Sequence, residues 1–208
     1  GYEILVTLTQ TPFWRVRNAA DVWIRTFMMA FDIKPQYITF VMILTVIGLI
    51  PVVKLKYGAP ALSVKFFIIM FLESLAYSMV LGIFLHSLIR MLLLAAGGIP
   101  GSSLQNVALS LGAGLFEEFF FRVLLLNALF WVLRFFLGNN LLTGAFAILT
   151  ASLLFSLSHY VGNMADTFQW YSFLFRWMAG LLFTVIYFFR GFAVTAYTHA
   201  FYDIQVLL

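Results

Sequence analysis

Glu117, Glu118 and Arg122 lie in the run Gly112-Ala-Gly-Leu-Phe-Glu-Glu-Phe-Phe-Phe-Arg122, whose other residues suit a lipid environment. A charged residue at the centre of a membrane helix costs about 2.5–3.5 kcal/mol on insertion scales, so such residues face a bundle interior, pair with one another or do chemistry. On a helix Glu118 and Arg122 are four apart and share a face, so an ion pair can neutralise both; Glu117 is turned away by about 100°. The two glutamates therefore have different jobs. Glu118 and Arg122 read as a structural pair that fixes the helix, and Glu117 as a carboxylate facing a polar cavity. The bland alternative is that all three only hold helices together.

Phe155 and His159, in Phe155-Ser-Leu-Ser-His159, also stand four apart, so a phenyl ring and an imidazole share one helix face. His199 and Asp203 repeat that spacing near the end of the chain, where a carboxylate can orient the ring or both groups can aim at one substrate atom. A carboxylate, two histidines and an aspartate on three helices suit hydrolysis, which needs a base for water and donors for the developing oxyanion. Each pair is also open to a reading as buried polar packing. The zinc-protease pattern His-Glu-x-x-His is absent, as are a Gly-x-Ser-x-Gly elbow and a phosphate-cradling glycine loop. Ser156 and Ser158 neighbour His159 without such an elbow, which argues against a serine nucleophile.

The elements that must position these residues follow from composition. The chain of 208 residues is 63% hydrophobic and only 10% charged, with mean hydropathy +1.02, which places it among polytopic membrane proteins. Half of its eight acids, Glu73, Glu117, Glu118 and Asp203, fall within apolar segments, as do His86, His159 and His199 at or near segment ends. Solvation cannot explain that clustering. The net charge of +4 reads as loop anchoring on the cytoplasmic side, because no basic run exceeds Lys54-Leu-Lys56; nucleic-acid binding is not expected. With no cysteine, disulfides, thiolate zinc sites and a cysteine nucleophile are excluded.

Apolar segments run at about 37–53, 64–95, 104–137, 141–158, 170–189 and 192–208. They are separated by Pro51, Lys54, Lys56 and Gly58, by Gly97-Gly98-Ile99-Pro100-Gly101, by Gly138-Asn-Asn140, by 162–169, and by Arg190-Gly191. The expected fold is all-α, a polytopic bundle of about six (six to eight) transmembrane helices. The two segments of more than thirty residues must tilt, project from the bilayer or break. Residues 13–31, where Phe13, Trp14, Trp23, Phe27 and Phe31 mix with arginines, suit a helix lying at headgroup depth. The domain reading is an N-terminal interfacial amphipathic segment, 1–36, followed by one integral-membrane domain, 37–208, with the chemistry in 117–203. Glu73, His86 and Arg90 are left over, and pairing between helices is their expected role.

Glu-Glu-x-x-x-Arg at 117–122, Phe-x-x-x-His at 155–159 and His-x-x-x-Asp at 199–203, in that order on successive apolar segments, resemble the motifs of the CPBP (Abi) family of intramembrane proteases, which includes type II CAAX prenyl endopeptidases and their bacterial relatives. The resemblance covers roughly the C-terminal half. It implies a glutamate-type endopeptidase in a bacterial or archaeal cell membrane, acting on a protein or peptide substrate that is lipidated or carries a sorting tail. It further implies that Glu117 and His159 activate water, that His199 and Asp203 stabilise the tetrahedral oxyanion, and that Glu118, Arg122 and Phe155 support the site. Many relatives have Asn where this chain has Asp203, and an ionised Asp cannot donate, so it must be protonated or act by orienting His199. The resemblance implies neither cofactor nor metal, although a Glu with two histidines has the donor set for a divalent ion. The competing classes are a non-catalytic immunity or scaffold protein, a small proton-coupled transporter, and a zinc-dependent form of the same protease.

Overall fold

The computed structural model describes residues 2–9, 18–58, 63–92, 103–162 and 165–207, and every regular element among them is helical. Phe13, Trp14, the break at Gly97-Gly98-Ile99-Pro100-Gly101 and the side chains of His86 and Arg90 lie outside the described residues. The helices are α1 (Tyr2–Thr9), α2 (Ala19–Met29), α3 (Pro35–Tyr57), α4 (Val64–Leu92), α5 (Ser103–Gly112), α6 (Leu126–Leu137), α7 (Leu141–Ser158) and α8 (Trp170–Leu207). Two π-helical stretches, Ala113–Glu117 and Phe119–Leu125, carry the chain from α5 into α6. Ser103–Leu137 is thus one 35-residue rod, about 52 Å long at ~1.5 Å per residue. That exceeds a hydrocarbon core of about 30 Å, so the rod tilts or projects.

Four helices among the described residues are long and apolar enough to cross a membrane: Val64–Leu85, Ser103–Leu137, Leu141–Ser158 and Trp170–Leu207. The chain is an integral membrane protein with an all-α architecture. The six apolar segments of the sequence meet these four as follows. The segment at 37–53 is helical, as α3, but is not among the four, and the segments at 170–189 and 192–208 are joined in α8. The join is not a straight helix. Gly191 has φ 78° and ψ 179°, a combination essentially reserved for glycine. The arms on either side, 170–190 and 192–207, fold onto each other. Phe183 and His199 stack with ring centroids 4.5 Å apart, where a straight helix would separate them by about 24 Å. Ala179, Phe183 and Tyr202 from the two arms share a core cluster with Leu81 and Leu85 of α4.

The bundle carries its polar groups inside. Ser74, Ser78, Thr184, Thr195 and Thr198 are buried, while Phe135 and Leu141 are 86% and 89% exposed. With lipid outside, apolar burial does little to drive helices together, and close packing plus interhelical hydrogen bonds take its place. Ser74 Oγ donates to the Val194 carbonyl at 3.3 Å and Gln205 Nε2 to Ser78 Oγ at 2.8 Å, joining α4 to the second arm of α8. Glu73 of α4 pairs with Arg190 at 2.6 Å, just before the bend. The rod meets the second arm at Gly114, where a Cβ would lie 2.3 Å from the Ala196 carbonyl oxygen and 2.9 Å from the Ala200 Cβ. That absence of a side chain lets the two backbones approach.

A side chain at 191 meets no atom within 4 Å, so its cost is conformational rather than steric. Gly191→Ala is expected to destabilise the protein by about 1–3 kcal/mol, measurable by thermal unfolding in detergent, whereas Gly48→Ala, in the middle of α3 with open space around it, should leave the midpoint unchanged or raise it.

Candidate active site

The site grows from the place where the rod changes helical type. π-Helical turns occur mostly as short insertions within α-helices and are frequent at functional sites, and here they flank Glu118 on both sides. Both glutamates are buried, Glu117 at 8% exposure and Glu118 at 0%, and their surroundings differ.

Glu118 Oε2 lies 3.1 Å from Arg122 Nε, and Glu118 Oε1 accepts from His199 Nδ1 at 2.7 Å. One carboxylate therefore serves the guanidinium of its own helix and an imidazole on the second arm of α8. Arg122, 2% exposed, also donates to the Gly180 carbonyl at 3.1 Å. Its guanidinium sits over the Phe155 ring at 4.6 Å from the centroid, an arrangement that adds cation–π attraction where water is excluded. The other ring nitrogen of His199, Nε2, is 3.5 Å from Asp203 Oδ2. That is too long for a strong hydrogen bond but near enough for a favourable charge contact.

Glu117 turns to a different neighbourhood. Its Oε1 accepts from Asn18 Nδ2 at 2.7 Å. With His159, Ser158, Phe121, Trp23, Ala19 and Ala20 it lines a cavity of about 30 Å³, enough for a water molecule with polar partners. His159 caps α7, and its Nδ1 is 3.0 Å from the Phe155 carbonyl. A carbonyl can only accept, so Nδ1 carries the hydrogen and the neutral ring leaves Nε2 as the acceptor. One residue beyond its span, His159 is pushed below the ordinary imidazole range by desolvation, with the charge of Glu117 pulling the other way. Ser158 Oγ donates to the same Phe155 carbonyl at 2.7 Å and Ser156 Oγ to the Phe173 carbonyl at 2.6 Å, so both hydroxyls are engaged.

Phe155 joins the two halves. Its ring centroid is 5.2 Å from that of His159 and 6.0 Å from that of His199. Glu117, Glu118, Arg122, Phe155, His159, His199 and Asp203 thus come from the rod, α7 and the second arm of α8 to one region of the bundle. Two features were beyond sequence reasoning. The four-residue spacing pairs Glu118 with Arg122 alone and gives no sign that it also holds His199. Asn18 and Trp23 belong to an N-terminal segment whose composition signals only an interfacial helix. The Asn18-Ala-Ala-Asp21 string is legible as a helix start, but its contact with a residue 99 positions away is not. Among the described residues, no group of three His, Cys, Asp or Glu is arranged to hold a metal ion.

A helical membrane bundle with a buried carboxylate pair and two imidazoles about one aromatic ring defines a class of polar-centred membrane proteins. The comparison with known families narrows it. The model of the type II CAAX prenyl endopeptidase Rce1-like family matches residues 100–205, just over half of the chain, and the chain belongs to that family of CAAX-type membrane proteases. No curated protein and no solved structure matches it.

The difference between the two glutamates makes a prediction. Removing the Glu118 carboxylate strands a buried guanidinium, and breaking a buried pair in this way costs about 3–5 kcal/mol. Glu118→Ala should therefore lower the thermal midpoint in detergent far more than Glu117→Ala, whose partners include a cavity; equal losses would contradict the division.

Proposed function

We propose that this chain is a glutamate-type endopeptidase of a bacterial or archaeal cell membrane, hydrolysing a peptide bond near the membrane surface in a substrate with a prenylated, CAAX-type C-terminus. The observation that carries the reading is the cavity shared by Glu117 and His159. It places a carboxylate and an imidazole acceptor against a space of water size, while the adjacent Glu118 is committed to Arg122 and His199.

In the reaction, the Glu117 carboxylate and His159 Nε2 accept a proton from the water as its oxygen bonds to the scissile carbonyl carbon. The carbonyl π pair moves onto oxygen, and His199, as an imidazolium protonated on both ring nitrogens, donates from Nε2 to the oxyanion that forms. Glu118 fixes that ring through Nδ1. Asp203, at 3.5 Å from Nε2, orients the resting ring and yields to the oxyanion. The oxyanion pair then re-forms the carbonyl as the C–N bond breaks onto nitrogen, the leaving nitrogen takes the proton held by Glu117 or His159, and a carboxylic acid, which ionises as it reaches water, and an amine depart. Arg122 and Phe155 keep the two imidazoles in register.

The described parts of the N-terminal segment 1–36, residues 2–9 and 18–36, fit this reading as an interfacial unit that meets the membrane domain, 37–208, at the site. Phe27 and Phe31 of this segment are 66% and 67% exposed, as rings at headgroup depth would be.

The test is cleavage of a farnesylated CAAX peptide by the purified full chain in detergent. Glu117→Gln and His159→Ala are expected to fold and insert normally and to lose about 10²–10⁴-fold in kcat, the usual worth of general acid–base catalysis. Undiminished cleavage by either would remove the assignment, and a change in stability without one in turnover would favour an immunity or scaffold role. The mechanism has no metal step, so EDTA or 1,10-phenanthroline should leave the rate unchanged. A loss reversed by added zinc would replace it with a zinc-dependent one.

A further inference from the structure

We infer that Asn18 is a positioning residue for the Glu117 carboxylate, so that the N-terminal segment completes a site otherwise built by the C-terminal half; this rests on the reading of Glu117 as the base.

The side-chain amide of Asn18 is used at both ends. Its Oδ1 accepts from the Ala20 backbone N–H at 2.9 Å and caps α2. An N–H can only donate, so that cap fixes which end of the amide is oxygen and leaves Nδ2 to donate to Glu117 Oε1 at 2.7 Å. The cap holds Asn18, and the rest of the segment holds the cap. Arg25 reaches Asp21 at 2.7 Å, Glu3 at 2.6 Å and Thr39 at 2.9 Å, tying α2 to α1 and α3. Tyr2 and Val6 of α1 and Ala20 of α2 pack with Ala108 and Phe116 of the rod in one core cluster. The donor is thereby presented to Glu117 from a braced helix start rather than from a free loop. Ala19, Ala20 and Trp23 supply one wall of the cavity in which Glu117 and His159 meet. A carboxylate that must take a proton from water in one direction gains from a fixed donor that sets its other oxygen, because a misplacement of about 1 Å can cost 10²-fold in rate.

The capping and positioning roles can be separated. Ser and Asp cap helices as well as Asn does, yet neither reproduces the Nδ2 donor, and Asp sets a second carboxylate against Glu117. With the farnesylated CAAX peptide as probe, Asn18→Ser is expected to lower kcat by about 10-fold and Asn18→Asp by about 100-fold, with KM unchanged in both. Capping alone gives the opposite pattern, in which Asn18→Ser and Asn18→Asp turn over like the unaltered chain and only Asn18→Ala fails.

A second measurement needs no substrate. Asn18→Asp should lower the thermal midpoint by about 2–4 °C, and Glu117→Gln in the same chain should restore it, since a glutamine amide can donate to the new carboxylate. Additive midpoints, or full turnover in both cap-preserving variants, would overturn the inference. Full cleavage by Glu117→Gln would instead remove the functional reading beneath it, and the thermal cycle would still decide whether the two side chains are coupled.

Discussion

The Glu118 carboxylate, buried among apolar side chains between a guanidinium and an imidazole, is the interaction on which the rest of the bundle depends. An unpaired ion at that depth is costly to maintain, so whatever the chain does elsewhere it must bring Arg122 and His199 to this carboxylate. Arg122 comes at no topological expense, being one turn along the same rod. His199 has to be delivered by the final helix. That delivery uses the bend at Gly191, which turns the second arm back on the first, and the bare backbone at Gly114, which lets that arm come close enough for a 2.7 Å contact.

Once this network is closed, the adjacent glutamate is left with another environment. Glu117 is the next residue in the chain, and the π-helical turns around it set its side chain toward α2 and the end of α7. Two chemically identical groups thus receive unlike surroundings. One is held between a cation and an imidazole, and the other meets, among the described residues, the Asn18 amide and a small cavity. Phe155 keeps these regions together by touching both imidazoles and carrying Arg122 on its face. An aromatic ring suits that place because it excludes water from the ion pair while asking for no hydrogen bond of its own.

The outer surface answers to a different solvent. Large apolar side chains cover the lipid-facing sides of the long helices, and hydroxyls and small residues fill the contacts between them. Several serine and threonine hydroxyls donate to carbonyls of their own helix, as Thr184 does to Gly180 at 2.8 Å, and a few reach across to join helices. Hydrolysis in such a body needs water admitted at one place and kept from the ion pair a few ångströms away. The cavity lies beside the N-terminal segment and the end of α7, toward one end of the bundle, while the ion pair is sealed beneath Phe155 and Phe183.

The sequence by itself determined the membrane class, the helical character of the apolar segments, the break at Arg190-Gly191 and the ionisable residues set within apolar segments. These are local properties. Hydropathy over about twenty residues decides solvent, and four-residue spacing on a helix decides that Glu118 can reach Arg122 and Phe155 can reach His159. What the break becomes was not local: a gap of two polar or small residues fits a loop, a kink or a reversal equally well, and only packing of Phe183 against His199 makes it a reversal. The partners of the two glutamates were likewise decided by the tertiary structure alone. His199 is 81 residues from Glu118 and Asn18 is 99 residues from Glu117. Contacts at that separation depend on how every intervening helix packs, and no periodicity in the chain records it.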